Sequence, residues 1–284
     1  MTPFELKRHL SKFKTNILEL EPLRRRAIFH LKAYYYNELE NWLELGWGVR
    51  CPFYSPESAC SFSEIFFEGE YEPLLATIEL PDRWIDLGCH YGFFTLYFAW
   101  LRAKKGLTQP FHALLVDADE RVLPGVNTLV NGNHWQQQIK VLHGAIAEGS
   151  GGVSFHEQPF MSSVLDGLGV EEPSSQHKSV PIIDQQTILS TLDPPYDLVK
   201  IDIEGGEYDF LLHYDQVLEQ AKHLVVEWHS WHRGGGSSEQ IRALAESKGF
   251  QLRQVVLQPT ECSGSLQGQT VGVFLFSRAD VIDV

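Results

Sequence analysis

The sequence has little positive charge and few cysteines. Its 23 Lys and Arg residues are outnumbered by 37 Asp and Glu residues, so the formal net charge is −14. A surface that binds a phosphate backbone needs clustered Lys and Arg, and we therefore expect no nucleic-acid partner. The four cysteines show no spacing typical of a disulfide framework, which predicts free thiols in a reducing compartment.

Long hydrophobic runs are also lacking. Charged residues recur throughout the chain, and its first residues do not show the pattern of a signal peptide. We therefore expect a cytoplasmic protein with no membrane partner. The length of 284 residues, 43% of them hydrophobic, is enough for one large domain or for one domain with an extension.

Strand and helix patterns alternate from residue 83 onward. Apolar runs at 83–87, 111–117, 139–143, 198–203 and 224–227 are separated by helical patterns, and 251–257 with 271–276 predicts a terminal antiparallel hairpin. Such alternation indicates an α/β fold in which helices cover both faces of a doubly wound, mostly parallel sheet. The prediction assigns residues 73–284 to this main domain.

Residues 1–72 are predicted to form an N-terminal helical extension or lid. Thr2-Pro3 is typical of a helix start, and a second helical pattern runs from Glu21 to about Leu45, where Gly46 would end it. Residues 50–72 are aromatic and show no regular pattern. We expect most of these rings to be buried and some to line a pocket.

A glycine loop follows the first strand of the main domain. Asp86 ends the strand, Gly88 and Gly92 follow with the spacing Asp-x-Gly-x-x-x-Gly, and a helix begins directly after them. Glycines let a backbone approach a ligand closely, and a helix start offers unpaired N–H groups. The Gly-x-Gly-x-x-Gly spacing of dinucleotide sites is not present here, which disfavours the alternative of a dinucleotide-dependent oxidoreductase.

Four of the predicted strands end in an acid: Asp86, Asp117, Asp202 and Glu227. Because the carboxyl ends of parallel strands meet at one edge of a sheet, these acids should lie together, with Glu204, Glu207 and His229 nearby. Grouped carboxylates need a cation, a metal or hydroxyl donors. Asp117 is suited to bind ribose hydroxyls, and the alternative role is the N-cap of the following helix.

These motifs together resemble the FkbM family of class I S-adenosylmethionine-dependent methyltransferases, over about residues 60–277. The resemblance implies a seven-stranded Rossmann-like sheet. Cys89-His90 stands where the family usually has Ala-Asn, and Asp117 where it often has Glu. The resemblance is carried by Ile85-Asp86-Leu87-Gly88-Cys89-His90-Tyr91-Gly92, Val116-Asp117-Ala118-Asp119, Gly144-Ala145-Ile146-Ala147, Val199-Lys200-Ile201-Asp202-Ile203-Glu204-Gly205-Gly206-Glu207 and Val225-Val226-Glu227-Trp228-His229.

The resemblance implies a binding site for S-adenosylmethionine. It places Asp86, Gly88, His90 and Gly92 along the methionine end of the cofactor. It assigns Asp117 to the ribose. Ala145 and Ile146 would flank the adenine.

The chemistry is expected at the ends of the fourth and fifth strands of the main domain. Asp202 and Glu204 are the best-placed acids, and Glu204 or His229 could act as the general base. Alternatively, Asp202, Glu227 and His229 could hold Mg²⁺, which would lower the pKa of a bound hydroxyl. Trp228 could stack on a flat substrate, as could Trp231 in the loop that follows.

By analogy with the family, the methyl acceptor is a small molecule, with a hydroxyl of a sugar or natural-product intermediate as the expected target. Two alternatives stay open at this point. One is an N-methyltransferase acting on a peptide or amide, and the other is a domain that binds S-adenosylmethionine without catalysis. The sequence does not determine the oligomeric state, and a homodimer is one option.

Overall fold

A seven-stranded sheet forms the centre of the protein. The computed structural model describes residues 17–19, 21–34, 42–53, 56–149, 151–156, 177–230, 236–262 and 268–281. The predicted helix start at Thr2 lies outside these residues. The strands of the central sheet are β3 (Arg83–Leu87), β4 (His112–Asp117), β5 (Ile139–His143), β8 (Tyr196–Ile201), β9 (Ala221–His229), β10 (Phe250–Glu261) and β11 (Thr270–Arg278).

The strand order in this sheet is β10-β11-β9-β8-β3-β4-β5. Strands β5, β4, β3, β8 and β9 are parallel to one another, whereas β11 runs antiparallel to both β9 and β10. The doubly wound, mostly parallel sheet and its terminal hairpin are therefore confirmed. The strand order reverses between β3 and β8, which is where ligands bind in open sheets of this type.

Eight α-helices are described, together with a π-helical turn at Glu64–Glu68 and 3₁₀ turns at Ile17–Glu19, Glu72–Ala76 and Ala279–Val281. The last α-helix begins in a capping box between Ser237 and Gln240. None of the described helices is both long and apolar enough to cross a membrane. The α-helices are α1 (Pro22–Tyr34), α2 (Pro56–Ser63), α3 (Phe93–Lys104), α4 (Leu123–Gly132), α5 (Gln185–Thr191), α6 (Glu207–His213), α7 (Asp215–Leu218) and α8 (Ser238–Ser247).

The two faces of the central sheet belong to different apolar clusters. Successive side chains of a strand point to opposite faces of the sheet, so the side chains of Trp84 and Ile85 lie on different faces. Trp84, with Leu198 of β8, packs with α3 and the N-terminal segment, and we call this side of the sheet the first face. Ile85 packs with α6 and α8 on the second face. Both faces are covered, as the alternation of strand and helix patterns predicted.

The N-terminal segment is not entirely helical, which corrects the prediction of a helix reaching Leu45. Helix α1 ends at Tyr34, and Trp42–Gly46 is a strand, β1, that pairs antiparallel with β2 (Val49–Pro52). The reason is local: Leu43 and Leu45 are buried while Glu44 between them is half-buried, a period of two. Residues 50–72 are also more regular than predicted, since α2 and the π-helical turn lie there.

Beyond β5, a smaller hairpin pairs β6 (Gly152–His156) with β7 (His177–Pro181). Residues 153–155 thus pair with β7 rather than with β5. All four cysteines are free thiols, as predicted.

Aromatic rings join the N-terminal segment to the main domain. Phe62 of α2 is fully buried and stacks on Phe66 at 4.4 Å between ring centroids. It also contacts Phe29 of α1 at 5.7 Å and Phe93 of α3 at 5.9 Å. The domain boundary at residue 72 stays a prediction, but packing crosses it at Phe62.

Replacing Phe62 by alanine should therefore weaken the whole protein. We expect Phe62→Ala to lower the free energy of unfolding by about 3–5 kcal/mol, because the cavity would lie in a fully buried aromatic cluster. Leu23→Ala is the control, since Leu23 is 84% exposed on the same segment and should cost less than about 0.5 kcal/mol. Urea unfolding measures both, and equal losses would contradict the packing described.

Candidate active site

The loop after β3 is shaped by two glycines with positive φ angles. Gly88 has a φ of +70°, and a Cβ there would lie 1.6 Å from the carbonyl oxygen of Asp202. Gly92 has a φ of +77° and precedes the first residue of α3. Between them, His90 adopts a φ of +48°. The loop therefore passes directly against the end of β8, where the strand order reverses.

Asp117, at the end of β4, holds this loop through its carboxylate. Its Oδ2 accepts a hydrogen bond from the backbone N–H of His90 at 2.7 Å, and its Oδ1 accepts one from Asp119 N–H at 2.8 Å. Burial raises the pKa of Asp117 to about 7, although these two hydrogen bonds oppose the shift. Helix α4 begins only at Leu123, so the alternative role of Asp117 as its N-cap is wrong.

Lys200, which the sequence analysis did not select, lies at the centre of the site. Its ammonium group is 2.9 Å from Asp202 Oδ2, 3.0 Å from Gly88 O and 3.5 Å from Asp86 Oδ1. Burial opposes its charge, but Asp202 and Asp86 outweigh that effect and raise the pKa of Lys200. The available signal was a lysine within the otherwise apolar run Leu198–Ile201.

Asp86 lies beneath the glycine loop and is fully buried. Its Oδ2 accepts a hydrogen bond from Thr95 Oγ1 at 2.9 Å. Its Oδ1 has no hydrogen-bond partner among the described residues. One oxygen of this predicted cofactor residue can therefore still accept a hydrogen bond.

His229, at the end of β9, is oriented by Glu207 at the start of α6. Both side chains are buried, and Nδ1 of His229 lies 3.0 Å from Glu207 Oε1. Glu207 is itself fixed by the backbone N–H groups of Ile203 and Gly205. The other ring nitrogen, Nε2, faces Glu204 Oε2 at 3.7 Å. Burial opposes the positive charge of His229, but Glu204 and Glu207 raise its pKa well above the usual value.

Glu204 occupies a strained position beside this pair. Its φ of +54° is unusual for a residue with a side chain and costs about 1–3 kcal/mol. Burial raises its pKa to about 7, His229 opposes that shift, and Asp202 adds to it. Strain of this kind occurs where the surroundings hold a functional group in place.

The predicted metal residues also meet. Asp202, Glu227 and His229 each offer a ligand atom, and these atoms all lie within 4.8 Å of one another. Burial raises the pKa of Glu227 well above its usual value, and the charges of Asp202 and Glu70 add to the shift.

Glu70 and Tyr71 bring the N-terminal segment to the same site, which the sequence analysis did not foresee in detail. Burial raises the pKa of Glu70 to about 7, with the charge of Asp202 adding to it. Tyr71 is buried and contacts Phe94 of α3 at 4.9 Å between ring centroids. The signal was the mixture of acids and aromatics in residues 61–71.

The structure also positions three other expected residues, Ala145, Ile146 and Trp228. Ala145 and Ile146 follow β5, each only 3% exposed, and Ala145 pairs with Ile182 beyond β7. Trp228 points to the second face of the sheet, is 2% exposed and stacks near Phe274. The expectation that Trp228 stacks on a substrate is therefore wrong, because its neighbours Glu227 and His229 take the first face. Trp231 lies outside the described residues.

The methyltransferase FkbM domain family matches residues 86–252, which is more than half of the chain and includes all of the cluster except Glu70 and Tyr71. The chain belongs to the FkbM methyltransferase family. It is thus an S-adenosylmethionine-dependent methyltransferase, as the motifs predicted, and the oxidoreductase alternative is excluded.

Solved structures of other methyltransferases resemble this FkbM methyltransferase. A protein from Pyrococcus horikoshii, described provisionally as an RNA methyltransferase, is 14% identical to this chain, with a TM-score of 0.43. The match covers 98% of this chain and 97% of the Pyrococcus horikoshii chain. An O-methyltransferase from Bacillus cereus, in complex with S-adenosylhomocysteine, is 12% identical to this chain, with a TM-score of 0.44. The match covers 96% of this chain and 97% of the Bacillus cereus chain. Magnesium protoporphyrin IX methyltransferase from Synechocystis, with S-adenosylmethionine bound, is 12% identical with a TM-score of 0.44, covering 77% and 81%. Comparison with curated sequences gives no match.

Two glycine substitutions test the geometry of the loop. Gly88→Ala should cost at least about 4 kcal/mol of unfolding free energy or prevent folding, because the new methyl group would overlap the backbone of Asp202. Gly106 has nearly the same φ, +71°, but nothing within 4 Å of the added Cβ. Gly106→Ala should therefore cost only about 1–2 kcal/mol. Losses of equal size in urea unfolding would show that the close approach to Asp202 is not real.

Proposed function

We propose that this FkbM methyltransferase transfers a methyl group to a hydroxyl oxygen of a small molecule, such as a sugar or a natural-product intermediate. The observation that supports this is the buried Glu207–His229 pair, whose Nε2 faces Glu204 at 3.7 Å. A hydroxyl must lose its proton when it is methylated, so a positioned base accelerates the reaction. Residence in the cytoplasm, expected from the isolated cysteines, is part of the same proposal.

The residues around the glycine loop fit the charge and shape of S-adenosylmethionine. The cofactor carries a sulfonium and an ammonium group, and Asp86 Oδ1 is a buried acceptor with no hydrogen-bond partner among the described residues. The positive φ angles of Gly88 and Gly92 let the loop turn sharply after β3, which leaves its backbone N–H groups near the start of α3. When bound, S-adenosylmethionine supplies an electrophilic methyl group.

In this proposal each cofactor residue has one task. Asp86, Gly88, His90 and Gly92 contact the methionine end. Asp117 accepts hydrogen bonds from the ribose hydroxyls, because each of its oxygens keeps one lone pair beyond the bonds to His90 and Asp119. The proposal assigns the adenine to the apolar side chains of Ala145 and Ile146.

The catalytic tasks fall to three side chains. Glu204 accepts the proton of the acceptor hydroxyl. His229, oriented by Glu207, stabilises the negative charge of Glu204. Asp202, fixed by Lys200, contributes its charge rather than a proton. Asp202 and His229 also belong to the set in which we expect Mg²⁺.

Binding of the cofactor product tests the first half of the proposal. Calorimetry with S-adenosylhomocysteine should show one site in the wild type, and Asp117→Ala should weaken it at least about tenfold, since two charge-assisted hydrogen bonds are lost. Asp193→Ala removes an exposed carboxylate elsewhere and should leave the affinity unchanged. Unchanged binding by Asp117→Ala would contradict the assigned ribose contact.

The rate of methyl transfer tests the proposed catalytic residues. With hydroxylated sugars and natural products as acceptors, Glu204→Gln should reduce kcat by about 10²–10⁴-fold, because the base is lost, while the affinity for S-adenosylhomocysteine changes less than about twofold. Glu72→Gln, an exposed acid on the N-terminal segment, should leave both unchanged. If His229→Gln loses activity and Glu204→Gln does not, His229 is the base. Full activity of both variants toward an amine acceptor would favour N-methylation instead.

A further inference from the structure

One wall of the candidate active site comes from outside the part of the chain that matches the family. The FkbM domain match begins at residue 86, and the proposed cofactor residues all lie within it. Glu70 and Tyr71 belong to the N-terminal segment, yet both face the charge of Asp202. A pair of side chains that enters the site from this segment is suited to distinguish one acceptor from another.

The turn that carries Glu70 has a fixed shape. A π-helical turn ends at Gly69, which has a φ of +75°, and the backbone N–H of Glu70 donates to the carbonyl oxygen of Glu64 at 3.2 Å. Turns of this kind are rare and frequently lie at functional sites. Phe66 of the turn packs on Tyr97 of α3 at 5.3 Å between ring centroids. The turn is therefore held against the helix that begins at the glycine loop.

Tyr71 orients the carboxylate of Glu70 toward the strand ends. Its hydroxyl donates a hydrogen bond to Glu70, and its ring contacts Phe94 at 4.9 Å between centroids. The ring of Phe94 in turn lies 5.8 Å from Nζ of Lys200, which binds Asp202. Tyr71 is buried, whereas Glu70 is only half-buried. Part of the Glu70 side chain is thus open to a ligand beside Asp202.

The charges around Glu70 favour a ligand that is positive. The nearby ammonium of Lys200 already binds Asp202 at 2.9 Å and the carbonyl oxygen of Gly88 at 3.0 Å. The carboxylates of Asp202 and Glu64 repel that of Glu70. A charge-assisted hydrogen bond is about twice as strong as a neutral one, so Glu70 gains more from an ammonium group than from a hydroxyl.

Glu204 offers a second acceptor atom at the same strand ends. Its carboxylate, like that of Glu70, faces the charges of Asp202 and Lys200. Its Oε2 is buried and has no hydrogen-bond partner among the described residues. The two glutamates therefore suit a ligand that brings one donor to each of them.

We propose that Glu70 binds a protonated amino group of the methyl acceptor, and that the acceptor is an amino sugar. This inference rests on the proposed O-methylation. A protonated nitrogen has no lone pair and cannot take the methyl group, whereas a hydroxyl of the same sugar can pass its proton to Glu204. The hydroxyl oxygen forms its bond to the methyl carbon as the carbon–sulfur bond breaks, and S-adenosylhomocysteine leaves.

Calorimetry on the full chain, saturated with S-adenosylhomocysteine, tests the contact directly. The probes are D-glucosamine, D-galactosamine and D-mannosamine, each compared with its parent hexose, at a pH below the pKa of the sugar amine. For at least one pair the wild type should bind the amino sugar at least about tenfold more tightly. Glu70→Gln should remove this preference, because it keeps the size of the side chain and loses the charge.

Two further variants separate the contact from a general effect on the turn. Glu68→Gln alters an exposed acid of the same turn and should keep the preference of the wild type. Tyr71→Phe keeps the ring against Phe94 and should reduce the preference at least about threefold, because Glu70 loses the hydroxyl that orients it. Unchanged affinity of Glu70→Gln for S-adenosylhomocysteine shows that this variant is folded.

Methyl transfer from S-adenosylmethionine provides an independent measurement. Glu70→Gln should raise KM for the amino sugar at least about tenfold and leave kcat within about threefold, since Glu70 binds the acceptor without taking its proton. The methyl group should be found on oxygen in the product.

The inference is overturned if the wild type binds no amino sugar more tightly than its parent hexose, or if Glu70→Gln keeps the preference. Methyl transfer to hexoses without preference for the amino sugars would reject the amino group and leave the proposed O-methylation intact. A methyl group found on nitrogen would reject the proposed O-methylation and this inference with it.

Discussion

The buried ammonium group of Lys200 is the interaction on which the site depends. It lies between the carboxylates of Asp86 and Asp202 and also binds the carbonyl oxygen of Gly88. These contacts tie the loop after β3 to the end of β8, across the point where the strand order reverses. Removing the lysine would leave the buried carboxylate of Asp86 and the half-buried carboxylate of Asp202 without their cation. Loss of the partner of a buried charge is far more costly than loss of an exposed ion pair.

Strand alternation explains why the charged groups gather on one face. On the first face, the inward positions of β3, β8 and β9 begin with Trp84, Leu198 and Val225, which join one apolar cluster. Two residues further along, the side chains on this face are Asp86 in β3, Lys200 in β8 and Glu227 in β9. After two more residues they are Asp202, just beyond β8, and His229, at the end of β9. Each strand is thus apolar where the N-terminal aromatic residues cover it and charged where it reaches the edge. The same alternation sends Trp228 to the second face, away from any substrate on the first.

Much of the main domain could be predicted because its signals are local. Strand β3, its glycine loop and α3 follow from an apolar run, two glycines and a helical pattern, and all three are present in the structure. Acids at strand ends are also visible in the sequence, and the parallel sheet then brings them together. The convergence of Asp202, Glu227 and His229 is predicted from these strand ends.

The missed features are those that depend on distant parts of the chain. In the sequence, Lys200 only interrupts the apolar pattern of a strand. Its role as a buried cation follows from Asp86, which the parallel sheet places beside it. Glu70 joins the site because the N-terminal segment packs on the first face, and the mixture of acids and aromatics in residues 61–71 does not indicate that position. The sequence predicts a helix reaching about Leu45 where strand β1 lies, because Trp42–Gly46 is short and follows a long helical pattern in which a period of two is difficult to detect.

A crystal structure of the full chain with S-adenosylhomocysteine tests the central claim most directly. The account predicts the ribose hydroxyls at about 2.6–3.2 Å from the carboxylate of Asp117. It also predicts the homocysteine over the backbone of Gly88 to Gly92 and the sulfur facing Asp202 and Glu204. A ligand bound elsewhere, or with its ribose away from Asp117, would contradict it.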